Sequence, residues 1–477
     1  MDLAARGGML IRGAELAGHG IVDLRINAGR IERIAGHLQQ RPDEALIEAG
    51  GGALLPGLHD HHLHLYSLAA SLESIDCGPP RVRDAAQLAR TLADAAAERA
   101  PGQWLRGVGY HPSVAGELTR DELDRWVPDF PLRIQHRSGR LWIFNSAGLR
   151  ALGLDDARRG DDPFERLDQR RSGRLYDADE WLRKQLKHTA PGLGPISRLL
   201  ARYGITGLTD ATPSNTTASL AAFESACAEG ALLQAIRVMG DASLDEAADG
   251  DRVTRGEHKF HLHEHELPEL GSLVAAIRRS HRHRRRVAFH CVTRTELVFA
   301  LAALEMAGPL RGDRIEHASI APDELLPQMR QLGISVVTQP GFIATRGDVY
   351  RREVDPQEQP WLYRLRGLVD AGIPLAGSSD APYGDLNPWA AMQAAVDRKS
   401  ESGVLLGVDE RLSPEQALAL FTSSAHAPGR EWRRVALGEP ADLCLLSQPW
   451  AHARKALGQV RVRASLQAGR AIWNGDI

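Results

Sequence analysis

Cysteine, lysine and long apolar runs are the scarce features of this chain. Four cysteines occur in 477 residues, Cys77, Cys227, Cys291 and Cys444, with no C-x-x-C among them. That spacing indicates neither a disulfide framework nor a cysteine zinc ribbon, and a reducing compartment, the cytoplasm, fits it. No apolar run approaches the ~20 residues that span a bilayer, and the opening "MDLAARGGMLIRGAEL" lacks the continuous apolar core of a secretion signal, so no membrane partner is expected. Charge of one sign is not in excess. The 58 basic and 61 acidic residues leave a net charge of −3, which gives no reason to expect a nucleic-acid partner. The one basic run, "RRSHRHRRR" at 278–286, follows the amphipathic "ELGSLVAAI" and reads as the solvated end of a helix. Only Lys184, Lys187, Lys259, Lys399 and Lys455 interrupt an otherwise all-arginine set of bases.

What is present is a rhythm. From Met9 to Leu55 the segments "MLIRGAEL", "IVDLRINAGRIERIAG" and "ALIEAGG" alternate apolar and polar residues between glycines, as short antiparallel strands do, and the texture returns after about Ala436 in "ADLCLLS" and "QVRVRASLQAGRAIWNG". The two ends, 1–55 and 436–477, are expected to form one small β-sandwich. Between them lie eight strand-like runs: "ALLPGLHDHHLHL", "GITGLTDA", "LQAIRVMG", "HKFHLH", "VAFHCV", "RIEHAS", "ISVVTQP" and "IPLAGSSDAP". Most are followed by a helical pattern. Repeated βα units imply parallel strands with helices outside, and eight of them close a TIM-like (β/α)8 barrel over 56–435. The stretch 78–200 is too long for a loop and carries its own helical and strand-like pieces, so it reads as an insertion after strand one over the barrel mouth.

In such a barrel the chemistry sits at the C-terminal ends of the strands. "PGLHDHHLHL" places four histidines and an aspartate there. Parity in an extended strand puts Asp60, His62 and His64 on one face and His59 and His61 on the other with Leu63 and Leu65, which selects His62 and His64. His290 ends strand five, His317 strand six and Asp380 strand eight. Together these imidazoles and this carboxylate suit zinc or another divalent ion. On strand four, Lys259 shares a face with His261 and His263. A buried lysine, unlike arginine, can become neutral and add CO₂ to give a carbamate; it can also simply reach for water or a carboxylate.

These residues resemble the amidohydrolase superfamily, in its amidohydrolase family 3 branch, through "PGLHDHHLH", "QWLRGVGYHP", "FNSAGL", "FHCVTRTEL", "RIEHASI", "QPGF", "GSSDAPYGDLNPW" and "LGEPADLCLLS" in that order. The resemblance implies a TIM-like barrel, a composite β-sandwich and hydrolysis assisted by one or two divalent ions. The implied ligands are His62, His64, His290, His317 and Asp380, with a carboxylated Lys259 as the bridge. Two departures stand out. Relatives often carry Asp-Gly shortly after that lysine, where this chain has "KFHLHEHELP", and many carry His after Gly in the insertion, where this chain has Arg140. Arg140 either clamps a substrate carboxylate bidentately or serves a surface ion pair. Arg140, His263 and Gln339 are the expected substrate contacts.

The expected enzyme is a metal-dependent hydrolase of a carbon–nitrogen bond in an amide, N-acyl or cyclic amide, with Asp380 as general base and acid. A mononuclear deaminase of a nitrogen heterocycle and a metal-free scaffold are the alternatives. A small-molecule substrate is the expected partner, with a homodimer as the expected assembly.

Overall fold

The computed structural model describes residues 8–79, 81–100, 102–154, 172–176, 179–186 and 190–475. The first seven residues of the N-terminal segment, residues 155–171 of the insertion and Lys187 lie outside the described residues.

Eight strands form one parallel sheet in chain order: β1 Leu58–Leu63, β2 Ile205–Asp210, β3 Ala235–Gly240, β4 Val253–His261, β5 Val287–Cys291, β6 Arg314–His317, β7 Ser335–Thr338 and β8 Leu375–Gly377. Neighbours are parallel because a helix follows nearly every strand and carries the chain back. Two of these helices, Leu270–Arg282 and Arg294–Ala307, bury Leu273, Ile277, Leu297, Leu301 and Leu304 at helical spacing, and the second starts on a Thr293/Glu296 capping box. Between β8 and β1 the closure is made by individual bonds. The Asp380 N–H donates to His62 O at 2.8 Å and the His64 N–H to Ala381 O at 2.9 Å, while Asp60 Oδ1 accepts from the Ser379 and His62 amides at 3.1 Å each. The chain is therefore a (β/α)8 barrel.

Three details differ from the sequence expectation. "ALLPGLHDHHLHL" is two strands: Leu54–Pro56 pairs antiparallel with Leu443–Leu446, and only Leu58–Leu63 enters the barrel. The break falls at Gly57, where a Cβ would lie 2.3 Å from Thr206 Oγ1, so a side chain would block the passage from one sheet to the other. Strict alternation also fails within β1, whose register against β2 shifts twice, between Ile205 and Gly207 and between Leu208 and Asp210. Asp60 accordingly spends its carboxylate on the closure amides instead of joining His62 and His64. Finally, the N-terminal sheet is mixed: Met9–Leu16 pairs antiparallel with Gly20–Asn27 but parallel with Ala45–Glu48.

The two chain ends form a β-sandwich. Its sheets, one of four N-terminal strands and one of Leu54–Pro56 with Leu443–Leu446, Val462–Gln467 and Arg470–Asn474, share a core of Ile11, Leu24, Ile26, Leu443, Leu445 and Leu466. A second compact unit, Tyr66–Gly192, has its own five-stranded sheet and a core including Leu88, Leu105, Leu132 and Ile134. Among the described residues no helix is long and apolar enough to cross a membrane.

Within the sandwich the Glu44 carboxylate is buried and takes both Arg25 Nη2, at 3.2 Å, and Arg25 Nε. Burial pushes the Glu44 carboxyl up, and the Arg25 and Arg41 hydrogen bonds outweigh it, so its pKa lies below the ordinary 4.5. A carboxylate whose folded pKa is depressed stabilises the fold above its unfolded pKa and loses that contribution as pH falls through the folded one. Glu44→Ala, which strands a buried guanidinium, is expected to cost about 3–5 kcal/mol at neutral pH. The gap between variant and parent should narrow below about pH 4.5 in thermal unfolding, and a gap that ignores pH would show that Glu44 folds uncharged.

Candidate metal centre

The C-terminal rim of the barrel gathers three ligand atoms. One ligand atom from each of His62, His64 and Asp380 lies within 4.8 Å of the others. Both imidazole Nε2 atoms stand 3.5 Å from Asp380 Oδ1. The arrangement follows from the barrel closure, because Asp380 is fixed by its backbone to His62 and His64 by its backbone to Ala381. His64 lies just past β1, ahead of the helix Leu65–Leu72, with Nδ1 against Thr212 Oγ1 at 2.9 Å. His62 Nδ1 meets Glu316 Oε2 at 2.5 Å.

From His62 a row of imidazoles continues around the rim. Ring centroids are 4.9 Å apart for His62 and His317, 4.4 Å for His317 and His290, 4.3 Å for His290 and His261, and 4.3 Å for His261 and His263. His317 Nδ1 is bonded to Gln339 Oε1 at 2.8 Å, while its Nε2 is buried without a hydrogen-bond partner. Lys259 Nζ, on β4, is likewise buried without one. Buried polar atoms are normally paired, so two such orphans beside three converging ligand atoms fit the donor set of a cation site.

The backbone is bent to make this possible. His317 has φ 69° and Asp380 φ 53°, in the left-handed region that costs a residue with a side chain about 1–3 kcal/mol. In an extended strand Glu316 and His317 would point to opposite faces. The turn at His317 lets both face His62.

Protonation states agree with the geometry. Burial, aided by the Lys259 charge, holds His62 well below 6.5, and burial with the neighbouring His317 does the same for His290, so both are neutral at neutral pH, the form that ligates a metal. Burial pushes the Asp380 carboxyl up, but its hydrogen bond to His64 and the neighbouring imidazoles of His62 and His317 more than reverse this and leave it well below the usual carboxylate range. Burial brings the Lys259 amine down, with Glu316 opposing and Arg314 assisting, to about 8.

Of the expected substrate contacts, Gln339 sits behind His317, its amide committed to His317 and to Ser378 Oγ at 2.9 Å, so the buried side chain serves the imidazole. His263 follows β4 with its ring against His261. Arg140 belongs to the other compact unit, in the turn between Leu132–His136 and Leu141–Phe144. In the sequence reading Glu316 and Thr212 have no role, and His261 lies on the Lys259 face without assignment to the site. For Glu316 a signal existed: "RIE" sets Arg and Glu two residues apart in a strand with an apolar residue between, which places a charge pair on one face.

The amidohydrolase family model matches residues 45–472. The chain belongs to the amidohydrolase family. N-substituted formamide deformylase of Arthrobacter pascens is 25% identical over 492 residues, covering 89% of each chain. An uncharacterized metal-dependent hydrolase from Pyrococcus horikoshii OT3 has a TM-score of 0.76 at 19% identity, covering 95% of this chain and 100% of that one. A mutant of atrazine chlorohydrolase TrzN from Arthrobacter aurescens TC1, complexed with zinc and atraton, has a TM-score of 0.56 at 14% identity, covering 98% and 95%. These likenesses to solved structures establish the same fold along nearly the whole chain, and family membership makes the protein a hydrolase.

His59 and His61 are buried elsewhere, on Thr209 Oγ1 at 2.9 Å and Ser423 Oγ at 3.0 Å. His62→Ala and His64→Ala are therefore each expected to strip divalent metal from the purified protein by elemental analysis. His59→Ala and His61→Ala should keep it while losing about 1–3 kcal/mol of stability from an unpaired hydroxyl. Full metal content in the His62 variant would move the centre elsewhere.

Proposed function

We propose that the protein hydrolyses a carbon–nitrogen bond of a small amide, N-acyl or cyclic amide, with a divalent ion, zinc by donor chemistry, held by His62, His64 and Asp380, and with His290, His317 and Lys259 forming a second position. The observation that carries the reading is the convergence of His62, His64 and Asp380, with the buried, unpartnered His317 Nε2 and Lys259 Nζ beside them. Imidazole and carboxylate donors suit zinc. A bound ion lowers the pKa of its water toward neutrality and polarises the substrate carbonyl. The likeness to N-substituted formamide deformylase supports an amide-type substrate.

The chain's own part in the reaction falls to Asp380. Held ionised at the rim, it accepts a proton from the attacking water through one carboxylate oxygen and returns it to the departing nitrogen, which cannot leave as an anion at neutral pH. Lys259 is buried and its amine is brought down to about 8, so a minor but renewable fraction carries the lone pair needed to add CO₂, forming an N–C bond and releasing a proton, and the resulting carbamate would supply two oxygen donors to the second position. His261 and His263 line the rim where a substrate enters.

A screen of N-substituted formamides, N-acyl amino acids, cyclic imides and aminopurines with zinc-loaded protein is expected to give turnover on an amide class. Turnover on aminopurines alone would make the protein a deaminase. On the substrate so found, Asp380→Asn should retain the fold and much of the metal but lose about 10²-fold or more in kcat with little change in KM. An Asn variant near the parental rate removes Asp380 from the chemistry. Lys259→Ala should hold at least one ion fewer, and protein equilibrated with ¹³C-bicarbonate should show a carbamate carbon resonance that this variant lacks. Equal metal content in both proteins leaves a mononuclear centre.

A further inference from the structure

Behind the rim, the barrel interior is charged. Arg314 Nε pairs with Glu316 Oε1 at 2.8 Å, and Arg314 Nη1 with Glu257 Oε2 at 3.5 Å. Glu257 Oε1 in turn pairs with Arg237 Nη2 at 3.1 Å, and Arg237 Nη1 donates to His426 Nδ1 at 3.0 Å. Arg314 Nη2 also donates to the His61 carbonyl at 2.9 Å, tying the series to β1 one residue before His62. All four charged side chains are buried, Arg314, Glu316 and Glu257 completely. Its last member, Glu316, ends on His62 Nδ1.

Such an interior is costly to build, since each charge gives up its water and burial is offset only through pairing. Apolar residues fill most barrel cores at less expense. The expense is explained by what the terminal carboxylate does. An ionised carboxylate can only accept, so the Nδ1 that faces Glu316 must carry the imidazole proton. The Nε2 lone pair of a neutral His62 then points to Asp380 Oδ1, 3.5 Å away, where two acceptors face each other and a cation satisfies both.

We infer that Glu316 is a positioning residue that fixes His62 in its Nδ1-protonated form with Nε2 turned to the metal, and that Arg314, anchored by Glu257 and Arg237, holds the Glu316 carboxylate in place for that task. The inference rests on the proposed reading of His62 as a ligand, and it assigns to a buried series of ion pairs the orientation of that ligand. Partners behind a ligating histidine typically contribute 10- to 100-fold in metal affinity.

Glu316→Gln separates this from a purely structural ion pair. With Arg314 donors on one side, the amide oxygen turns to arginine and the NH₂ turns to His62, which forces the imidazole proton onto Nε2. In ¹⁵N-histidine-labelled, metal-free protein, His62 is expected to show a protonated Nδ1 in the parent and a protonated Nε2 in the variant. Zinc affinity, by competition with a chromophoric chelator, should fall by about 10- to 100-fold. If the variant loses thermal stability but keeps the parental tautomer and affinity, Glu316 is only structural and the inference fails. A parent with Nε2 protonated also overturns it. Should Glu316→Gln not fold, Arg314→Met with Glu316→Met removes both charges of the pair at similar volume, and the same loss of zinc affinity is expected; unchanged affinity there overturns the inference. A parent that binds no zinc yet shows Nδ1 protonated defeats the metal reading while leaving the positioning of His62 intact.

Discussion

Two backbone hydrogen bonds across one gap set the geometry of everything at the rim. The bonds from Asp380 N to His62 O and from His64 N to Ala381 O join the last barrel strand to the first, so the residues that meet there lie far apart in the chain but share one rim. A backbone bond is short and directional, and it fixes a Cα far more tightly than a flexible side chain can. Closing the barrel and assembling the three ligand atoms are thus one event. This accounts for Asp60, whose carboxylate goes to the same gap by accepting the amides of His62 and Ser379. Its value is in bringing two strand ends into register, which no contact with a metal would achieve.

The same closure has a cost that is visible in the dihedrals. His317 and Asp380 occupy left-handed backbone that residues with side chains normally avoid. Strain of this kind persists only where the surroundings over-determine the conformation. Both residues have such surroundings: Asp380 is held through its amide to His62, and the loop at His317 is held through Thr338 Oγ1, which donates to the His317 carbonyl at 2.8 Å, and Gln339 on its ring. The rigid barrel supplies the energy that aims the side chains, which is how a fold used for packing becomes one used for chemistry.

How much of this the sequence discloses depends on the range over which each signal acts. The βα rhythm is local and repetitive, so the eight strands are legible as runs of apolar residues with helical patterns between them. The histidines at strand ends are legible for the same reason, since a strand followed by a helix in this fold ends at the rim. Strand boundaries are not legible where a single glycine sends one apolar run into two sheets, as Gly57 does through its clearance from Thr206. Parity is legible only while a strand is regular. Two register shifts in β1 and a left-handed turn at His317 undo it, and each depends on neighbours far away in sequence. Gln339 shows the same limit, since "QPGF" at a strand end marks a rim residue without saying that its amide is already spent on His317 and Ser378.

The interior charges are the least legible element and the most informative. Arg237, Glu257, Arg314 and Glu316 come from three strands, β3, β4 and β6, with His62 on β1 closing the series, and beyond the Arg314–Glu316 spacing nothing local connects them. Read singly, each is a charged residue in a strand that an apolar core ought to exclude. Read as a series, every charge is answered by its neighbour and the series terminates on one imidazole nitrogen. A core assembled only for stability would have no reason to end there, because well-packed apolar groups of the same volume do that work at least as well. What an apolar core cannot do is decide which nitrogen of a histidine holds the proton, and that decision determines whether the other nitrogen can bind a cation at all.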